Sequence, residues 1–277
     1  MKLSYSNLAC PEWPFERCVE AVGEYGYDGL ELRLFDGEVI TPELSQTARR
    51  RATATLARSG FPVAALDTSL QLTLGATETG RARFLADIGQ LAALAGEWGA
   101  PLLRLFGGPL PAEPAARAAT LGAAGALLGA AAPIAERHGV RLAVETHDGF
   151  SAAATLAQLL GSAKGLAGAV YDTHHPHRMG ESPADVVATL GVNIWHVHVK
   201  DARRRTPGRD EWELVALGQG EVPVRSALGE LGQAGYDGWV SLEFERKWHP
   251  ELAPPEQALP AQGALLREWL RAVPAVS

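Results

Sequence analysis

A chain of 277 residues that is 47% hydrophobic can bury a sizeable core, either as one large α/β domain or as two small ones. Its formal net charge of −7 argues against a surface built to neutralise a phosphate backbone, so nucleic acid is excluded as an expected partner. Cys10 and Cys18 are too few for a disulfide framework, and the segment MKLSYSNLACPEWPFERC lacks the apolar stretch of a signal peptide. The alanine-rich segment AATLGAAGALLGAAAPIAERHG is broken by Gly and Pro and reads as too weakly apolar to span a bilayer. The expectation is a cytoplasmic protein outside the membrane.

Short apolar runs of β character alternate with longer stretches of helical spacing. In chain order the runs are LSYSNL (3–8), GLELRL (29–34), VAALDTS (63–69), PLLRLFG (101–107), RLAVETH (141–147), GAVYDTH (168–174), IWHVHVK (194–200) and WVSLEFE (239–245). After the second run, TPELSQTARRRATATLARSG predicts a helix with Thr41 as N-cap, Pro42 at its first position and Gly60 at its exit. Eight β-α units without a Pro/Gly/Ser-rich linker predict a single (β/α)8 TIM barrel over residues 1–277. A doubly wound sheet is the alternative, but no glycine fingerprint follows the first strand. The segments EYGYDGLELR (24–33) and QAGYDGWVSLEFE (233–245) echo each other as helix exit, turn and strand.

The segment AVYDTHHPHRMGES (169–182) concentrates histidines and poses the question of a metal site. In a barrel the C-terminal strand ends converge on one face. Glu145, Asp172, His198 and Glu243 stand at the ends of the fifth to eighth runs. Alternation along each strand puts Glu145 with His147, His198 with His196 and Lys200, and Glu243 with Glu245. Each residue alone has an ordinary structural role, as a hydrogen-bonded core histidine or a salt-bridged glutamate. Buried together, three carboxylates and one imidazole would cost several kcal/mol per unpaired charge, and a divalent cation is their simplest partner. This oxygen-rich set suits Mn²⁺ first, then Mg²⁺, and tolerates Co²⁺ or Zn²⁺, whereas thiolate-rich structural zinc lacks nearby cysteines. The connection DARRRTPGRDEWELVALGQGEVP carries Arg203, Arg204, Arg205 and Arg209, which either meet an anionic or polyhydroxylated substrate or form a solvated charged loop.

Four motifs in this order, VET on the fifth strand, YDTHH with Asp172 and His175, HVHVKDAR on the seventh and GYDGWVSLEFERKWHP at the eighth, carry a resemblance. The chain resembles, over essentially its whole length, the xylose-isomerase-like TIM-barrel family of sugar and sugar-phosphate isomerases, epimerases and related lyases. The resemblance implies metal binding by Glu145, Asp172, His198 and Glu243, a substrate-polarising His175, and a substrate-contacting arginine at Arg203 or Arg204, with His174 and His177 at the rim or behind the residues that touch the substrate. Ketose 3-epimerases of the family carry a further glutamate where this chain has Ser151. The AP-endonuclease branch needs extra early histidines for three zinc ions, and here none precedes His138.

The reading is a divalent-metal-dependent isomerase or epimerase of a sugar, sugar phosphate or related polyol. In it the cation chelates two vicinal substrate oxygens and stabilises an enediolate, Glu145 and Glu243 act as general base and acid, and Lys200, His175 and a loop arginine hold substrate oxygens. A lyase or dehydratase on an inosose or 3-keto sugar would share the enolate. A carbohydrate-binding or regulatory barrel without turnover is the reading from another class. The expected partner is a small carbohydrate, and assembly into a homo-oligomer stays open.

Overall fold

Eight parallel strands close on themselves in the computed structural model, which describes residues 1–273. They are β1 (Lys2–Ser6), β2 (Gly29–Leu32), β3 (Val63–Gln71), β4 (Leu102–Phe106), β5 (Arg141–Glu145), β6 (Ala167–Asp172), β7 (Ile194–Val199) and β8 (Trp239–Leu242). Each strand pairs with its sequence neighbours, and β8 returns to β1 from Lys2↔Trp239 to Tyr5↔Leu242. Every expected run supplies a barrel strand. The helices around them are α1 (Phe15–Glu24), α2 (Gln46–Ser59), α3 (Glu78–Glu97), α4 (Pro114–Glu136), α5 (Ala153–Ser162), α6 (His174–Arg178), α7 (Pro183–Leu190), α8 (Val224–Gln233) and α9 (Pro255–Arg271). The barrel, not the doubly wound sheet, is therefore the fold.

Two local expectations need correction. Helix α2 starts later than the Thr41 reading, because Ser45 is its N-cap and accepts from Ala48 N at 3.2 Å. Upstream, Leu44 N closes a turn on Thr41 O at 3.1 Å, and Arg49 takes the carbonyls of Pro42 and Leu44 at 2.7 and 3.0 Å. Gly60 ends the helix in the left-handed region at φ 68°, as its exit position predicts. The alanine-rich segment is the second case. Helix α4 runs unbroken for 23 residues through Pro133, and its mean hydropathy of 1.6 is high enough, by length and composition alone, to cross a membrane. Alanine and leucine supply that hydropathy. In the barrel, Leu121, Leu127, Leu128 and Ala131 of α4 are buried, and the helix packs beside α3 and α5.

Strand alternation divides the core into two parts. Outward-facing residues such as Leu30, Leu66, Leu103 and Leu142 join the main core with the helices. Inside the barrel, Ala65, Leu102, Ala143 and Val170 form a separate small cluster with Trp195 packed against it. Two residues further along the same strands stand Asp67, Arg104, Glu145 and Asp172, all buried. An apolar floor thus carries a charged storey at the C-terminal end of the strands.

A bulge completes the floor. The pairing passes from Ala169↔Ile194 to Val170↔His196, so Trp195 is an extra residue on β7. Its ring covers Gly168, where a Cβ would lie 2.1 Å from the indole, and the Arg141 guanidinium lies 4.4 Å from the ring centroid. The two GYDG segments lead into β2 and β8, the two neighbours of β1, with Gly26 and Gly235 at φ 72° and 79°. Gly168→Ala is expected to overpack the floor and destabilise the fold by about 1–3 kcal/mol, read as a lower urea midpoint at unchanged slope.

Candidate active site

The C-terminal ends of β5 to β8 bring Glu145, Asp172, His198 and Glu243 together, one ligand atom from each lying within 4.8 Å of the others. Glu145 and Asp172 are the last residues of their strands. Glu243 follows β8 directly and stays on the ladder, its N–H donating to Val199 O at 3.0 Å. All four side chains are buried.

Scaffold contacts orient each group. Asp172 Oδ1 accepts the backbone N–H groups of His174 and His175 at 2.7 and 3.2 Å, which the turn into α6 supplies. Its Oδ2 is left facing Lys200 Nζ at 2.9 Å. Glu145 Oε2 lies 3.3 Å from Arg104 Nε, and its Oε1 lies 3.1 Å from His198 Nδ1. Glu243 places Oε1 3.5 Å from the same Nδ1 and Oε2 2.6 Å from Lys200 Nζ. Lys200 also pairs with Glu245. The far nitrogen of His198, Nε2, faces Glu31 Oε2 at 3.2 Å, and Glu31 binds His196 as well. The carboxylate on β2 thus fixes the ring so that Nδ1 points into the cluster.

The charges follow from these contacts. Burial alone would raise the Glu145 carboxyl, but Arg104 and His198 outweigh it and hold the group well below the usual carboxylate range. Burial likewise works against the Glu243 carboxylate, and Lys200 and His198 bring it below its ordinary value. Burial dominates at Asp172, which is pushed up to about 6 despite Lys200, with Glu243 and Glu145 adding to the rise. Asp67, buried and close to Glu31, is pushed up to about 8. His198 is raised well above the histidine range, its burial outweighed by Glu31, Glu243 and Glu145. His175 is held far below it by burial and by Lys200, so its ring is neutral.

The cluster opens into a cavity of about 260 Å³, lined by Arg33, Arg104, Glu145, Lys200 and Glu243, with the exposed Trp248 ring at its wall. That is below the roughly 300–1,000 Å³ of sites for drug-sized ligands and fits one small polar molecule. A second depression beside it reaches His147, His174, His175 and Trp212. His175 lies with its ring centroid 4.3 Å from that of His147. His174 is buried with its ring centroid 5.3 Å from that of His175, and burial pulls it down to about 3. His177 faces Trp212 at 5.6 Å.

Arg203 and Arg204 stand away from the cavity. Their connection is an antiparallel hairpin, Asp201–Arg204 against Trp212–Val215, anchored by Asp201, whose carboxylate accepts N–H groups from Ala202, Gly218, Gly220 and Val222 at 2.8 to 3.1 Å. Arg203 pairs with Glu213 at 2.5 Å, and the Arg204 guanidinium stacks 4.6 Å from the Trp212 ring. Arginines counted as substrate contacts are thus held by the hairpin itself. Ser151 donates its hydroxyl to Asp148 O at 2.9 Å and does not line the cavity. Glu31, Arg33, Asp67 and Arg104 join the charged storey without having been expected there. Their signal is a charged residue at an inward position of an otherwise apolar strand run.

Three carboxylates and one imidazole nitrogen suit a divalent cation, and Asp172 Oδ2, the oxygen not taken by the turn into α6, faces the cluster with Lys200 beside it. The donor set fits an ion.

Over residues 19–271 the sequence matches the family of the xylose isomerase-like TIM barrel. The chain belongs to that family. A putative hydroxypyruvate isomerase of Streptomyces coelicolor is 33% identical over 96 residues, which are 34% of this chain and 31% of the relative. An inosose isomerase of Bacillus licheniformis is 32% identical over 132 residues, 44% of this chain and 46% of the relative. The matched stretches span less than half of either relative. Among solved structures of the xylose isomerase-like fold, the IOLI protein with a binding zinc atom superposes over 100% of both chains with a TM-score of 0.81 at 18% identity.

Metal loading is expected to raise thermal stability, by about 2.7 kcal/mol when free ion is 100-fold above its Kd. Elemental analysis should find one ion per chain, lost in Asp172→Asn and His198→Ala. Protons compete with the ion for His198, which is raised well above the histidine range, and for Asp172, pushed up to about 6, so apparent affinity should fall as pH is lowered from the alkaline side and keep falling through about 6, which titration calorimetry across pH would show.

Proposed function

We propose that the protein is a divalent-metal-dependent isomerase or epimerase of a small sugar, sugar phosphate or related polyol, with residues 1–277 acting as one domain and Mn²⁺ as its ion. The observation that carries this reading is the convergence of three carboxylates and an imidazole within 4.8 Å at the C-terminal end of the barrel, beside a buried ammonium. The names of two sequence relatives, a putative hydroxypyruvate isomerase and an inosose isomerase, agree with it.

Glu145, Asp172, His198 and Glu243 would hold the ion, which when bound supplies a concentrated positive charge that favours negative charge on substrate oxygens. The residues around it divide the remaining work. Glu145 and Glu243 are both held as carboxylates, so either can begin as the proton acceptor. One takes the proton from the carbon next to the carbonyl, and the released electron pair forms the enediolate. Return of a proton to the neighbouring carbon gives the isomer, and return to the opposite face of the same carbon gives the epimer. For the isomer the glutamate that took the proton can return it; for the epimer the other glutamate, also beside His198 Nδ1, delivers a proton drawn from solvent, and the first gives its own back to solvent to close the cycle.

Lys200 donates to the substrate oxygen that gains charge. It stays protonated there because Asp172, Glu243 and Glu245 outweigh its burial. The neutral His175 ring, with Nε2 free of protein hydrogen bonds, polarises a second oxygen. Arg203 and Arg204 have no part in this assignment, since both are held in the hairpin. Its two free thiols agree with a cytoplasmic location, where the environment is reducing.

The test is proton exchange. Substrate incubated with metal-loaded protein in D₂O should gain deuterium at the carbon next to the carbonyl, followed by NMR over ketoses, their phosphates, inososes and 3-keto glycosides. Exchange with conserved mass apart from the label supports isomerisation or epimerisation. Loss of water or an alcohol would replace that reading with the lyase, and tight binding without exchange would replace it with the non-catalytic barrel. Glu243→Gln should cut turnover by about 10²- to 10⁴-fold while the far-UV circular dichroism stays unchanged.

A further inference from the structure

Three long cationic side chains line the cavity, and two of them are fully paired. Arg104 stands between Asp67 and Glu145, and Lys200 among Asp172, Glu243 and Glu245. Arg33 differs. It is only 6% exposed, yet it makes no ion pair among the described residues. One terminal nitrogen donates to the Asp67 carbonyl at 3.3 Å and the other to Ser69 Oγ at 2.8 Å. A guanidinium has five N–H donors in a rigid fork, so most of its capacity is left for whatever occupies the cavity.

A buried guanidinium with only neutral acceptors is costly, because neither a carbonyl nor a hydroxyl offsets the lost hydration of a full charge. Burial and the neighbouring Arg104 pull Arg33 down to about 10, so it still carries its charge at neutral pH. A neutral sugar hydroxyl would add no counter-charge to that of the Asp67, Glu243 and Glu145 carboxylates, which act on Arg33 without touching its fork. An anionic group would add that counter-charge and match the fork with two parallel hydrogen bonds.

We infer that Arg33 docks an anionic group, a carboxylate or a phosphate, carried by the substrate that reacts between Glu145 and Glu243. This rests on the isomerase reading for the identity of the reacting end. In a cavity of about 260 Å³ the anionic group and the reacting carbons belong to one short molecule, which narrows the substrate to a small keto acid or a small sugar phosphate.

Calorimetric titration of the full-length Mn²⁺-loaded protein tests this without turnover. The probes are matched: dihydroxyacetone, hydroxypyruvate and dihydroxyacetone phosphate, then ribulose and ribulose 5-phosphate, with inorganic phosphate alone as a further arm. The wild type should bind at least one anionic probe roughly 10- to 100-fold more tightly than its neutral counterpart. Arg33→Gln should erase that preference and leave neutral binding in place, while Arg33→Lys keeps part of it. A hydroxypyruvate preference names a carboxylate substrate, and a preference for the phosphates names a phosphorylated one.

The inference is overturned if the wild type shows no anionic preference, if Arg33→Gln keeps it, or if that variant weakens charged and neutral probes alike with normal metal content and melting temperature. Should Arg33→Gln not fold, the wild-type preference and its partial reduction in Arg33→Lys decide the matter, and an Arg33→Lys preference equal to that of the wild type overturns the inference. An Arg33-dependent preference without deuterium exchange would keep the anion site and discard the isomerase, and exchange without that preference would do the reverse.

Discussion

Arg104 lies inside the barrel at 1% exposure, with Asp67 3.4 Å away on one side and Glu145 3.3 Å away on the other. Its third contact is the Thr68 carbonyl at 3.1 Å, and its guanidinium stacks 4.0 Å from the Phe106 ring. A fixed cation at this depth is what allows Glu145 to be a carboxylate where burial would otherwise hold it protonated. Asp67, which also faces Glu31, absorbs the excess negative charge by moving up to about 8. The arrangement at the strand ends therefore depends on a charge balance set one layer below it.

The four convergent groups share a pattern. Each gives one atom to the scaffold and turns another toward the centre: Asp172 through the turn into α6, Glu145 through Arg104, His198 through Glu31 and Glu243 through Lys200. The side chains are held in place before any ligand arrives, so less ordering remains to be done on binding. The apolar floor of Ala65, Leu102, Ala143 and Val170 contributes by denying these polar groups any alternative position deeper in the barrel.

Period-two patterning and strand count were readable in the chain because a barrel of parallel strands leaves long apolar runs punctuated at their ends. Glu145, Asp172, His198 and Glu243 were readable for the same reason: they sit where the runs stop. Glu31, Arg33, Asp67 and Arg104 were not, since each is a single charge inside an apolar run, and its meaning appears only when neighbouring strands fix who faces whom. Asp67 lies beside Arg104 in the register of β3 and β4, a fact no local window contains. For the loop arginines the chain left two readings open, substrate contact or a solvated charged loop, and Glu213 and Trp212, a few residues further on, engage Arg203 and Arg204 once the hairpin folds back. Helix α2 likewise starts at Ser45 because Arg49 captures the carbonyls before it.

The pairing of β1 with β8 ties the second residue of the chain to the neighbourhood of residue 239. One edge of β1 pairs with β2, close by in sequence, but its other edge has no partner before residue 239. The charged storey shares that dependence, since Glu243 and its Lys200 contact come from the last strands of the barrel. Arg104 can meet Asp67 and Glu145 on the strands beside its own, whereas Glu31 meets His196 and His198 only when β7 is in place. Closing the barrel and completing the site therefore both need pairing between the two ends of the described chain, a long-range contact whose loop-closure entropy the local helices do not share.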